Sequence, residues 1–217
     1  NQDIKWIIKL RTYLRLRIIN IIRVFFYRLG LKLRLHPVQY IKSNISSKSF
    51  FRASERQVKA PQEIKDWDNS IHFFGWYSKP NLDDPPDWFQ NPFSQNQINN
   101  IEKSWWNIPD FGDDDIKCVW ELSRFNWVVA FSTQIANGNK LSILKLNHWL
   151  VNWVQANPPY KGPNWKCAQE CSIRLINLVI ASWILGQDYN PENGLKEIIK
   201  SHLKRIEKTL SYGIAQQ

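Results

Sequence analysis

From Asp113 to Leu210 the apolar residues return every three or four positions, with no period-two alternation, so this half of the chain can bury its apolar surface only as packed helices. Val119, Trp120, Trp127 and Phe131 predict a helix over about 116–135, started by Asp113-Asp114-Asp115 and ended by Asn137-Gly138-Asn139. Leu144, His148, Val151 and the Trp149/Trp153 pair predict a second over about 141–155, broken by Asn157-Pro158-Pro159. A third spans about 165–185, with Cys171, Leu175, Leu178 and Trp183, and closes at Gly186. A fourth follows Pro191 and carries Leu195, Ile198, His202, Ile206 and Leu210. Four helices on short loops make two αα-hairpins, and hairpins in series build a bundle, a solenoid or a closed toroid.

The first half reads differently. Residues 4–29 form one basic amphipathic pattern, with Ile7, Leu10, Leu14, Ile18, Ile21 and Phe25 on one side and Gly30 placed to cap it. Residues 1–59 carry fourteen Lys or Arg against only Asp3 and Glu55, so this stretch holds more than the whole net charge of +10. Such a segment attracts anionic lipid, nucleic acid or an acidic polysaccharide, and charge does not choose among them. Residues 43–112 hold six prolines and little helical period, and Ile71–Tyr77 reads as a short strand. Their many aromatics cannot all be solvated cheaply, so this stretch is expected to wrap over the helical body. Three parts follow: a basic helical segment at 1–42, an irregular aromatic- and proline-rich segment at 43–112, and a helical body at 113–217.

Several function classes find no support. There is no glycine-rich phosphate loop and no Gly-x-Ser-x-Gly elbow. Cys118, Cys167 and Cys171 are an odd number without further ligand spacing, so packed thiols are expected rather than a disulfide framework or zinc site. His36, His72, His148 and His202 are scattered, and no cofactor or metal is expected. The longest uncharged run near the start, Ile18–Ile22, is far short of a membrane span. The chain has no Met, so Asn1 is not expected to be a natural start, and no convincing signal peptide follows it.

Two segments are more specific. They are Asp115-Ile116-Lys117-Cys118-Val119-Trp120-Glu121-Leu122-Ser123-Arg124-Phe125, and Asn157-Pro158-Pro159 followed by Gly162-Pro163-Asn164-Trp165-Lys166-Cys167-Ala168-Gln169-Glu170-Cys171-Ser172-Ile173-Arg174. Together with Leu29-Gly30 and His36-Pro37-Val38, these resemble the heparinase II/III family of bacterial polysaccharide lyases. The resemblance implies an incomplete (α/α) toroid, followed in family members by a β-sandwich domain. It also implies β-elimination at a uronic acid in an acidic polysaccharide: heparan-like glycosaminoglycan, alginate-like and bacterial surface polymers all stay open. The family's proton-transfer residues fall beyond a stretch like Tyr212–Gln217, so no catalytic residue is assigned and this chain is expected to be inactive by itself. Periplasmic or cell-envelope placement is the corresponding expectation.

Within these segments Glu121/Arg124 stand i,i+3 and Glu170/Arg174 i,i+4, so each pair can meet on a helix face. Such pairs either pin the structure or leave the arginines to grip a sugar carboxylate or sulfate. The substrate-binding set expected on the second reading is Arg124, Tyr160, Asn164, Trp165 and Arg174, with the Trp165 ring under a sugar and an arginine on the cleft floor. The alternative function is a non-catalytic glycan-binding or surface-polysaccharide-associated helical protein. Membrane-surface contact through residues 1–34 is a further option, whereas nucleic acid is not expected, because no recognised module is present.

Overall fold

The computed structural model describes residues 18–46, 48–53, 67, 69–80, 83–109 and 114–215. It is mostly helical. Helix α1 covers Ile18–Lys32, α2 Ile116–Leu122, α3 Asn126–Ala136, α4 Ser142–Ala156, α5 Ala168–Ile184, α6 Asn193–Glu207 and α7 Leu210–Ile214. The part of the amino-terminal helix expected over 4–17 lies outside the described residues.

Four boundaries depart from expectation, each for a local reason. Gly30 does not cap α1, which runs on to Lys32; Arg34 takes the left-handed conformation (φ 57°) and Leu35 N–H closes back on the Gly30 carbonyl at 2.8 Å. Inside the helix Gly30 lies close to the following turn: a Cβ there would sit 3.3 Å from the His36 Cβ. The helix expected over 116–135 is broken in two at Phe125, whose backbone is left-handed (φ 66°). That conformation is costly for an aromatic residue. It is offset by complete burial of the Phe125 ring against Trp153, at 4.8 Å, and by Asn177 of α5 donating to the Arg124 carbonyl at 2.7 Å. The third helix begins at Ala168 rather than 165, with Pro163–Trp165 as a separate 3-10 turn. The fourth is interrupted at Lys208-Thr209 before α7.

Helix α3 packs on both α4 and α5, and α5 packs on α6. The core between them is largely indole: Trp127, Trp149, Trp153 and Trp165 are fully buried, and Trp88 and Trp105 nearly so. Except at Trp105, their N–H groups find acceptors, Trp153 on Ser123 Oγ at 3.0 Å and Trp165 on the Asn157 carbonyl at 3.0 Å.

The described residues of 43–109 run across this body and are tied to it by hydrogen bonds. The Phe50 and Phe51 amides donate to Asn147 Oδ1, Gln187 exchanges bonds with the Arg52 backbone, and Trp88 Nε1 donates to Asn152. The single strand expected at 71–77 is a hairpin instead: β1 Ser70–Phe73 pairs antiparallel with β2 Tyr77–Pro80 around Phe74 and Gly75, both at positive φ.

One glycine records how close this crossing is. A Cβ on Gly194, in the first turn of α6, would lie 2.4 Å from the Ser49 carbonyl oxygen, which already accepts the Gly194 N–H. Backbone cannot yield as a flexible side chain does. Gly194→Ala should therefore destabilise by about 1–3 kcal/mol, read as a lowered urea midpoint with unchanged slope; an unchanged midpoint would mean that segment 48–53 is not held against α6.

Candidate functional site

The residues expected to bind substrate are in place, but most of them face inward. Arg124 sits at the break between α2 and α3. Its Nε and Nη2 donate to the two carboxylate oxygens of Glu170 at 2.8 and 2.9 Å, and its Nη1 donates to Glu121. One guanidinium thus serves two nearly buried carboxylates, and the Glu170 hydrogen bonds hold it more firmly protonated than usual. The i,i+3 pair forms. The i,i+4 pair does not: Glu170 turns away from Arg174 on its own helix and takes Arg124 from the neighbouring segment.

Arg174 is fully buried and has no carboxylate partner among the described residues. Its Nε donates to His202 Nε2 at 2.9 Å and its Nη2 to the Asn164 carbonyl at 2.6 Å, while its guanidinium carbon lies 5.2 Å from the Trp153 ring centre and 5.6 Å from that of Trp165. His202 Nδ1 lies 2.8 Å from the Ile198 carbonyl, so the ring is the neutral Nδ1–H tautomer, accepting from Arg174 at Nε2. Burial, then the Arg174 charge, lowers the His202 pKa to about 3. Tyr160 is buried with its hydroxyl donating to the Ser201 carbonyl at 3.1 Å, and burial raises its pKa.

These positions correct the expected site. Trp165 and Asn164 are fully buried, with the Trp165 ring enclosed by Tyr160, Trp153 and His202, so no face is open to a sugar. Arg174 is committed to the core. Helix α5 starts three residues after Trp165, so the amides of Asn164 and Trp165 do not form its amino terminus. The spacing of Glu170 and Arg174 does not reveal this, because a fully buried arginine and an exposed one have the same sequence pattern.

A cleft of about 730 Å³ opens beside this core instead. Helix α1 contributes Tyr27 and Arg28, the 105–107 turn Trp105 and Trp106, α2 Trp120, and the start of α5 Lys166–Gln169. The far wall is Arg205 and Thr209 with Tyr212 of α7. None of the five expected residues lines it. Trp106 and Trp120 are half-buried, and Arg28 is exposed. Tyr27 stacks on Tyr212 at 4.0 Å, and burial raises its hydroxyl to about 12, keeping it neutral. The Arg205 guanidinium lies 3.7 Å over the Trp105 ring and is held by the carbonyls of Trp165 and Lys166 at 3.2 and 2.7 Å. With Arg174 on the Asn164 carbonyl, two arginines hold three consecutive carbonyls and fix the turn that forms the cleft wall.

The cleft therefore combines Arg28, Lys166 and Arg205 with five aromatic rings and, among the described residues, no Asp, Glu or His. It can hold an anion with flat apolar faces. It offers no carboxylate or imidazole base among those residues. Among the described residues no cluster of His, Cys, Asp or Glu could hold a metal ion. The clue to the cleft in the sequence was the Trp105-Trp106 pair together with Lys166-Cys167-Ala168-Gln169 just after Trp165. No family model, curated protein or solved structure matches this chain.

Proposed function

We propose that this chain is the amino-terminal portion of a polysaccharide lyase of the heparinase II/III type, acting by β-elimination on an acidic, uronic-acid-containing polysaccharide, and that the cleft beside α1 and α5 takes part of that polymer. The observation that carries this reading is the lining of the cleft: the exposed Arg28, with Lys166 and Arg205 behind it on backbone carbonyls, five aromatic rings and no described carboxylate. A uronate presents apolar ring faces and one carboxylate, and this lining complements both. The packing of α3 on α4 and of α5 on α6 suits two αα-hairpins at the start of an (α/α) toroid. In this reading the groups that neutralise the carboxylate, take the C5 proton and protonate the leaving oxygen come from segments other than those described, as does a β-sandwich domain.

Titration calorimetry of the chain with acidic and neutral oligosaccharides of equal length tests this. The acidic ligand should bind about tenfold tighter at low salt, with the preference shrinking as salt rises. Arg28→Gln, at an exposed position, should weaken only the acidic ligand, whereas Trp106→Ala should weaken both. Neither ligand should yield unsaturated, ultraviolet-absorbing products. Equal affinity for the two ligands would sink the binding reading, and clear turnover would place the catalytic set within these residues.

A further inference from the structure

Helix α1 has two opposed apolar sides. Val24, Tyr27 and Leu31 face the protein body, with Tyr27 buried against Tyr212 and His36. At ~100° per residue, Ile18, Ile19, Ile22, Phe25 and Phe26 fall in one arc of roughly 120° on the other side. They are 76%, 50%, 43%, 58% and 63% exposed among the described residues. A helix whose only task is to pack on the body turns polar residues outward. Here the polar residues sit between the two sides, Arg23 on one flank of the outer stripe and Arg28 and Lys32 on the other. No Asp or Glu occurs between Ile18 and Arg52. No helix among the described residues is long and apolar enough to cross a membrane.

We propose that α1 is a membrane-surface helix, lying in the interface of an anionic phospholipid bilayer with Phe25, Phe26 and the isoleucines in the acyl region and Arg23 and Lys32 at the headgroup phosphates. The geometry is that of an interfacial helix: an apolar stripe flanked by cations that reach outward to the phosphates. Charge complementarity selects this occupant. A second copy of the same surface would bring Arg23, Arg28 and Lys32 against their own kind in a contact of identical patches. A nucleic acid duplex would satisfy the cations but leave the isoleucine stripe in water. The proposal is independent of what the cleft binds.

Cosedimentation of the full chain with vesicles tests it, using phosphatidylcholine alone and phosphatidylcholine mixed with phosphatidylglycerol. The chain should partition onto the mixed vesicles and much less onto phosphatidylcholine. Phe25→Ser with Phe26→Ser, both at exposed positions, should lower partitioning by about tenfold or more while leaving the melting curve in place. Arg23→Gln with Lys32→Gln should lower it several-fold and remove most of its salt sensitivity. Equal partitioning onto both vesicle types would overturn the proposal, as would wild-type partitioning by the double Phe variant. So would a concentration-dependent dimer that the Phe substitutions abolish without any vesicle binding, or binding to an oligonucleotide that displaces the vesicles.

Discussion

Acidification from pH 7 to pH 4 should remove about 3 kcal/mol of folding stability through one buried histidine. His202 has its pKa lowered from 6.5 to about 3, so at pH 5 the unfolded chain binds a proton there that the folded chain refuses. Its contribution is complete above pH 6.5 and is lost as pH falls through the window from 6.5 to about 3, at about 1.4 kcal/mol per pH unit. The structural reason is that both ring nitrogens are committed: Nδ1 donates to Ile198, and Nε2 must accept from Arg174. A second proton would put two donors and two positive charges face to face in a fully buried site. Urea unfolding across pH 7 to 4 measures the slope. His202→Gln can keep one acceptor and one donor without titrating, so it should be less stable at pH 7 but lose less on acidification. An identical slope in the variant would assign the acid sensitivity elsewhere.

Arg124→Met should cost about 3–5 kcal/mol, because it strands two nearly buried carboxylates that share one guanidinium. For a domain of this size that is a fall in melting temperature of about 10 °C. The same substitution in a Glu170→Gln background should cost clearly less, since one of the stranded charges is then gone. Affinity of the folded fraction for an acidic oligosaccharide should not change. A loss below about 1 kcal/mol would place the cluster with ordinary exposed ion pairs. A fall in affinity at an unchanged melting temperature would return Arg124 to the binding surface.

These experiments bear on residues whose importance was visible in the sequence but whose orientation was not. Glu121, Arg124, Glu170 and Arg174 stand out because charged residues at helical spacing among aromatics have few reasons to be there. Spacing permits Glu170 to meet Arg174, yet the break at Phe125 delivers Arg124 to Glu170 from another element. Once Glu170 is taken, Arg174 is held by a histidine, a carbonyl and indole faces. The separation of the expected residues from the cleft has the same origin. Trp165 and Lys166 are adjacent in the chain, but the 3-10 turn at Pro163–Trp165 sends the indole into the core and the following residues to the cleft wall. The opposite wall, Tyr27 and Arg28, comes from a helix more than a hundred residues earlier, a juxtaposition that no local pattern encodes.

What the sequence determined by itself is the helical character of residues 116–214 and the approximate ends of the helices there. Both are local: a 3.6-residue apolar period makes one face, Asp115 accepts the Lys117 amide at 2.9 Å, and Gly186 takes the positive φ of 67° that closes α5. What only the tertiary structure decided is which polar groups meet and which aromatic faces stay open. Those outcomes depend on contacts between segments distant in the chain, where burial makes each unpaired charge or amide expensive enough to override local preference, as Phe125 shows by accepting a left-handed backbone to complete the core.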